Sequence, residues 1–371
     1  MEDSPITEKA NTSQNKNNWL DLCRALAITL VLFGHGRYFL TPAFKIAEAL
    51  AFAAYLGVEL FFVLSGFLIG RIILKNIISS PHNYDWLFGF WIRRWLRTVP
   101  NYLLFISINL FLLYSGIRIV APPDLLTYII FFQNFAWPHP SFLPEAWSLS
   151  VEEIFYIAAP ILFIISTFYD DKLKTIIYIS IAVMAISILL RLYVVLQFNP
   201  TWDDGIRKIT IFRFDALMTG VLLSALLHSK GKLIFPKKTA ATFSLFLIPC
   251  IYMASLSPQW LDKSITARTL LFTLTSMGCG GFIMLGLNSK IPVLCVNYSS
   301  FIAKISYSAY LSNLPVAWVI IKYFGFSGHI LGSAFRFTIY IIGTIVISWF
   351  VYRFIESPIL SWRDKISPPK I

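Results

Sequence analysis

The sequence predicts an all-α protein: a polytopic transmembrane helix bundle of about ten spans plus one re-entrant or interfacial segment, with both termini cytoplasmic. Three observations predict it. First, 57% of the 371 residues are hydrophobic and only 13% are charged, where a soluble domain carries about 25% charged residues. A chain with mean hydropathy +0.69 cannot cover itself with polar surface in water. Second, apolar runs long enough to cross a bilayer recur along the chain. Third, its cations fall unevenly between the two sets of connecting loops.

Taken in order, residues 1–18 (MEDSPITEKANTSQNKNN) are polar and lack the apolar core of a signal peptide, so they read as a disordered cytoplasmic tail. A membrane helix needs about 20 mostly apolar residues. Runs that satisfy this are 19–39, 48–74, 98–116, 147–169, 175–197, 210–228, 240–257, 267–287, 300–324 and 331–355. The run 125–135 (LLTYIIFFQNF) has only 11 residues, followed by Pro138, Pro140 and Pro144; it is too short to cross. Residues 19–358 form the membrane domain, and 359–371 form a second cytoplasmic tail. With this layout 18 Lys and Arg lie on the side of the termini and 6 on the other, which puts both termini inside. A full crossing by 125–135 would abolish that bias.

The net charge of +12 is then positive-inside loop charge rather than a nucleic-acid footprint, since no basic stripe sits on a soluble segment. The four cysteines (Cys23, Cys250, Cys279 and Cys295) lie in or beside apolar runs without CxxC spacing. They read as packing residues, not as disulfide partners or metal ligands.

Ionisable residues inside spans are costly and face the bundle interior by default. In the first span, LDLCRALAITLVLFGHG, Arg24 and His35 are eleven residues apart. That spacing closes to within about 20° of three turns, so they share one face about 16 Å apart along the axis. His35 reads as a hydrogen-bonded helix-end histidine or as a general base, for which imidazole suits neutral pH. Glu59 in GVELFFVLSGFLIG needs a proton or a partner; Arg24 and His35 are its candidates. Ser65-Gly66 beside it suits close helix packing. The predicted inner loop FWIRRWLRTVP carries Arg93, Arg94 and Arg97. Arg93 reads as a membrane anchor, and Arg94 and Arg97 as anchors or a phosphate-binding pair.

WSLSVEEIFY places Trp147, Glu152 and Glu153 at the predicted outer mouth of a span. The two carboxylates point about 100° apart, so at most one faces a site. Arg213 and Asp215 read as a local ion pair, and Arg191 and Arg268 as snorkelling span-end cations. In SYSAYLSNLP, Tyr307, Tyr310 and Asn313 recur every three residues.

These motifs, in this order, resemble acyltransferase family 3, the membrane O-acyltransferases. Leu20, Asp21, Arg24, Ala27, Val31 and His35 match its opening LDxxRxxAxxxVxxxH, and Gly57 to Ile69 match GV(D/E)xFFVLSGFLI. Arg93, Arg94, Arg97 and Pro100 match RRxxRxxP. WSLSVEEIFY, SYSAYL and FIESP match three later motifs, so the likeness covers nearly the whole chain. It departs at Asn313, where many members carry a histidine (YLxHxP); Asn cannot act as a base near neutral pH. The chain resembles the stand-alone type, without a fused extracytoplasmic domain.

The resemblance implies transfer of an acyl group, acetyl first among them, from cytoplasmic acyl-CoA to a hydroxyl of a carbohydrate or glycolipid of the cell envelope. It implies a place in a bacterial inner membrane, with the lipid bilayer, acyl-CoA and the acceptor as partners and no metal. His35 would be the base, Arg24 and Glu59 its companions, and Arg94, Arg97 and Arg93 the CoA contacts. Trp147, Glu152, Glu153, Tyr307 and Asn313 would meet the acceptor, with Asn313 or backbone amides as donors to the oxyanion. The rival class is a transporter or flippase that lines a substrate path with the same charges.

Overall fold

A computed structural model describes residues 5–79, 84–229, 237–287 and 292–367. Four of the cations in the charge asymmetry (Lys230, Lys232, Lys290 and Lys370) lie outside the described residues. All regular structure among the described residues is helical. The long helices are α1 (Pro5–Leu40), α2 (Ala51–Ser79), α3 (Trp86–Tyr114), α5 (Ala146–Ile164), α6 (Lys172–Phe198), α13 (Val293–Phe324) and α14 (Ile330–Val351). Between them lie α4 (Leu125–Ile129), α7 (Phe214–Ser229), α8 (Lys237–Leu245), α9 (Leu247–Ala254), α10 (Pro258–Lys263), α11 (Ile265–Thr269) and α12 (Leu271–Gly286). α15 (Ser357–Ile366) ends the described chain. The backbone of α1 runs back to Pro5, into the stretch read from sequence as a tail.

Among the described residues, six stretches are long and apolar enough to cross a membrane: Asn18–Leu40, Lys45–Ser79, Trp86–Tyr114, Ala146–Phe168, Lys172–Phe198 and Ile330–Ile366. By the length and composition of these helices the protein is an integral membrane protein. The other predicted spans depart from that standard for physical reasons. α7 and α12 have 16 residues each, about 24 Å of helix against a hydrocarbon core of about 30 Å. The run 240–257 is interrupted between α8 and α9. α13 has 32 residues but buries Ser306, Ser308, Ser312 and Asn313, which makes it a polar spine of the bundle.

α13 packs against α1 and α14, and α2 packs between α1 and α7. The α2–α7 crossing is set by Gly66 and Gly220: a Cβ built on Gly66 would overlap the Leu217 carbonyl, and one on Gly220 the Val63 carbonyl. Glycine is therefore needed for the approach of two backbones. The WIRRWLR segment, predicted as a loop, is instead the first part of α3. Continuation of the helix places Arg94 and Arg97 one turn apart on a rigid element.

The segment 125–135 does not cross. It forms the five-residue α4 and a series of turns packed on the rim of the bundle, with Tyr128 and Asn134 fully buried. Asn134 Nδ2 donates to the Trp147 carbonyl (3.1 Å) and Gln133 Nε2 to the Ala146 carbonyl (3.2 Å), pinning the segment to the start of α5. Arg118 ties down the loop that follows, donating to Asn109 Oδ1 (2.9 Å) and the Ser141 carbonyl (2.8 Å).

Candidate functional site

A cavity opens among α1, α2, α3, α5 and α13. One end is cationic, lined by Arg24, Arg94 and Arg97. Its wall carries Phe61, Phe62, Leu64 and Leu68 from α2, and its far end is formed by Ser148 and Tyr310. Arg94 stacks over the Phe90 and Tyr156 rings at 5.8 and 5.6 Å. Neither Arg94 nor Arg97 forms an ion pair among the described residues. Arg24 is paired with Asp21 one turn earlier on the same helix. Three guanidinium groups set against one lining carboxylate, Glu152, in a partly apolar cavity leave a net positive charge that suits a phosphate-bearing ligand.

Glu152 lines this cavity, accepting from Ser65 Oγ (3.0 Å) and Tyr156 Oη (2.9 Å). Glu152 lies six residues beyond the start of α5 at Ala146, about 9 Å along the helix. Glu153 is buried but does not line the cavity, as the angle between neighbouring helical positions requires. Tyr307 lines the wall and donates to the Thr98 carbonyl at 2.7 Å.

His35 does not line the cavity. It lies half-buried against α13, where its Nδ1 is 2.7 Å from Asn313 Oδ1. Asn313 is one turn along α13 from Tyr310, and its Nδ2 donates to the Ala309 and Tyr310 carbonyls (3.3 and 2.5 Å). Tyr340 of α14 donates its hydroxyl to Asn313 Oδ1 at 3.4 Å. At the cavity's far end Ser148 Oγ and Tyr310 Oη are 2.6 Å apart. Tyr310 and Ser148 both also lie within hydrogen-bonding reach of the Glu145 carbonyl (3.1 and 3.3 Å). Trp147 stands beside them, capped by the Arg207 guanidinium at 4.9 Å.

Several residues meet partners in this geometry other than those read from the sequence. Glu59 meets neither Arg24 nor His35; it is fully buried in an ion pair with Arg213 of the segment leading into α7. Arg93 turns away from the cavity and binds Asp364 Oδ1 (2.9 Å) and the Ser367 carbonyl, clamping α15. Asn313 cannot supply an oxyanion donor, because its amide hydrogens are spent on two backbone carbonyls. Arg191, read as snorkelling, is fully buried and paired with Asp215 at 2.9 Å. Arg268 is buried as well, held by Asn199 Oδ1 at 2.6 Å.

Several residues of the site escaped the sequence reading. Ser65, Ser148 and Tyr156 lie within recognised motifs, but nothing in their spacing assigns them to one cavity. Glu145 gives even less signal, as a carboxylate one residue before a helix start. It is buried with no side-chain partner among the described residues. Burial pushes its carboxyl up to about 8, against lowering by its own backbone amide and by Arg118.

Similarity to known proteins follows the same residues. The chain is 27% identical over 94% of its length to "Putative O-acetyltransferase SAR0937" of Staphylococcus aureus (strain MRSA252), covering 59% of that protein. It is 26% identical over 82% of its length to "O-acetyltransferase OatA" of Staphylococcus aureus (strain NCTC 8325 / PS 47), covering 52% of it. The chain thus spans between half and three fifths of the length of these curated relatives. No solved structure matches it significantly. The family model described as an acyltransferase domain matches residues 17–353, from within α1 to just past the end of α14. The chain belongs to acyltransferase family 3.

Proposed function

We propose that the protein is a membrane O-acyltransferase that takes an acetyl group from acetyl-CoA on the cytoplasmic side and passes it to a hydroxyl of a cell-envelope carbohydrate or glycolipid. The observation that carries this reading is the cavity, with a cationic end at Arg24, Arg94 and Arg97 and a far end at Ser148 and Tyr310, one turn of α13 from the partner of His35. Arg94 and Arg97 hold the phosphates of the donor, and the α2 side chains Phe61, Phe62 and Leu64 border its narrow pantetheine arm. His35 removes the acceptor hydroxyl proton as the oxygen attacks the thioester carbonyl; the new C–O bond replaces the C–S bond, and the thiolate leaves toward the cationic end. Such a base contributes about 100-fold or more to the rate. Trp147 and Glu145, beside the far end, face the acceptor. The excess of cations around the Arg94 end supports both termini being cytoplasmic, and ten spans fit an even crossing number. The relatives' names support the acetyl group and the oxygen acceptor.

Purified protein in lipid nanodiscs with acetyl-CoA and cell-envelope glycan tests this. The expected result is release of free CoA thiol and acetate esters on the glycan. A protein that moves glycan across the bilayer yet leaves acetyl-CoA intact would be the transporter that the same charges could serve.

A further inference from the structure

We infer that Asn313 is a positioning residue that fixes the tautomer of His35, holding the proton on Nδ1 and leaving Nε2 as the free base. The inference rests on the reading of His35 as the proton acceptor, and it follows from three contacts. The side-chain amide of Asn313 faces the carbonyls of Ala309 and Tyr310 at 3.3 and 2.5 Å. Carbonyl oxygens only accept, so the atom turned to them is the NH2 group, and the atom turned to His35 is the oxygen. Tyr340 Oη lies 3.4 Å from the same oxygen and can donate to it, which is compatible with that orientation. An amide oxygen that lies 2.7 Å from Nδ1 can only accept. The hydrogen of a neutral His35 must therefore sit on Nδ1, and its lone pair on Nε2.

The surroundings make this arrangement rigid. Asn313 is fully buried, as is Tyr340. A Cβ on Gly36, the residue after His35, would meet the Phe337 and Tyr340 rings at 2.7 and 2.8 Å, so α14 is seated directly on the backbone of α1 beside the imidazole. Asn313 therefore takes the part that a buried carboxylate plays in hydrolase triads, orienting the base without touching substrate. It does so with a neutral group, which suits a site within the membrane better than a second buried charge. A histidine at this position would have to present an unprotonated nitrogen to do the same.

The test is 15N solid-state NMR of histidine-labelled protein in lipid, with the His35 signals identified among the five histidines by their loss in H35F. Wild type is expected to show the His35 proton on Nδ1. In Asn313→Leu the proton should move to Nε2, with kcat for CoA release falling about 100-fold or more and KM for acetyl-CoA unchanged. Asn313→Asp, whose neutral acid form keeps both an accepting oxygen and a donor, should retain the Nδ1 proton and recover at least a tenth of kcat. A wild-type proton on Nε2 would overturn the inference, and so would an Asn313→Leu protein with wild-type kcat. The spectrum is read without turnover. Absence of CoA release from wild type therefore counts against the acyltransferase reading alone, while the spectrum still decides the tautomer.

Discussion

At the scale of single residues, the site is built from groups whose partners have been chosen to leave one function free. Arg94 lies over aromatic rings, and Arg94 and Arg97 share the cavity with Glu152 without forming an ion pair among the described residues, so positive charge exceeds negative there and is available to a ligand. Alanine at both should raise KM for acetyl-CoA by about 100-fold or more, as loss of charge-assisted bonds worth about 1.5–3 kcal/mol each requires. The kcat at saturation should change little, and steady-state CoA release checks both. Glu145 makes a separate prediction about pH. Its folded carboxyl titrates near 8, raised from 4.5 by burial. The stability it contributes is complete below the unfolded value and is lost as pH rises through 8. Glu145→Gln should abolish that loss, so thermal unfolding in detergent between pH 6 and 9 should show a wild-type decline that the variant lacks.

At the scale of elements, the charges buried between helices are paired across them. Glu59 on α2 is neutralised by Arg213, and Asp215 on α7 by Arg191 of α6, which also donates to Thr273 of α12 at 2.8 Å. Removing one partner leaves a charge stranded in low dielectric. Arg213→Ala should therefore destabilise the protein by about 3–5 kcal/mol, and the double variant Glu59→Gln/Arg213→Met by much less. Unfolding in detergent measures both. The sequence reveals that Glu59 must have a partner, since the cost of an isolated carboxylate in a span is local. It does not reveal which partner, because Arg213 is 154 positions away and only the close α2–α7 crossing brings the two together. The same holds for Gly66. Its small size is visible in the sequence, but its need to be small depends on the Leu217 backbone. Arg93, Arg94 and Arg97 show the reverse. Their separate fates follow from one helix, α3, whose rotation points Arg93 at α15 and the other two into the cavity.

At the scale of the whole molecule, the membrane class and the order of the motifs are legible because lipid imposes them on composition and run length. The setting of each side chain is less legible. It depends on which helices surround a position: Glu152 lines the cavity of Arg94 and Arg97 because α2 and α3 pack beside α5. The account therefore separates the donor end, at Arg24, Arg94 and Arg97, from the reacting end, at His35 and Asn313. The two ends should be separable by experiment. Transfer of labelled acetyl groups from acetyl-CoA to cell-envelope glycan, measured with wild type and with a normally folded His35→Ala protein that still binds acetyl-CoA, tests that claim most directly. The account predicts a loss of transfer of about 100-fold or more with donor affinity unchanged; transfer by His35→Ala at the wild-type rate would contradict it.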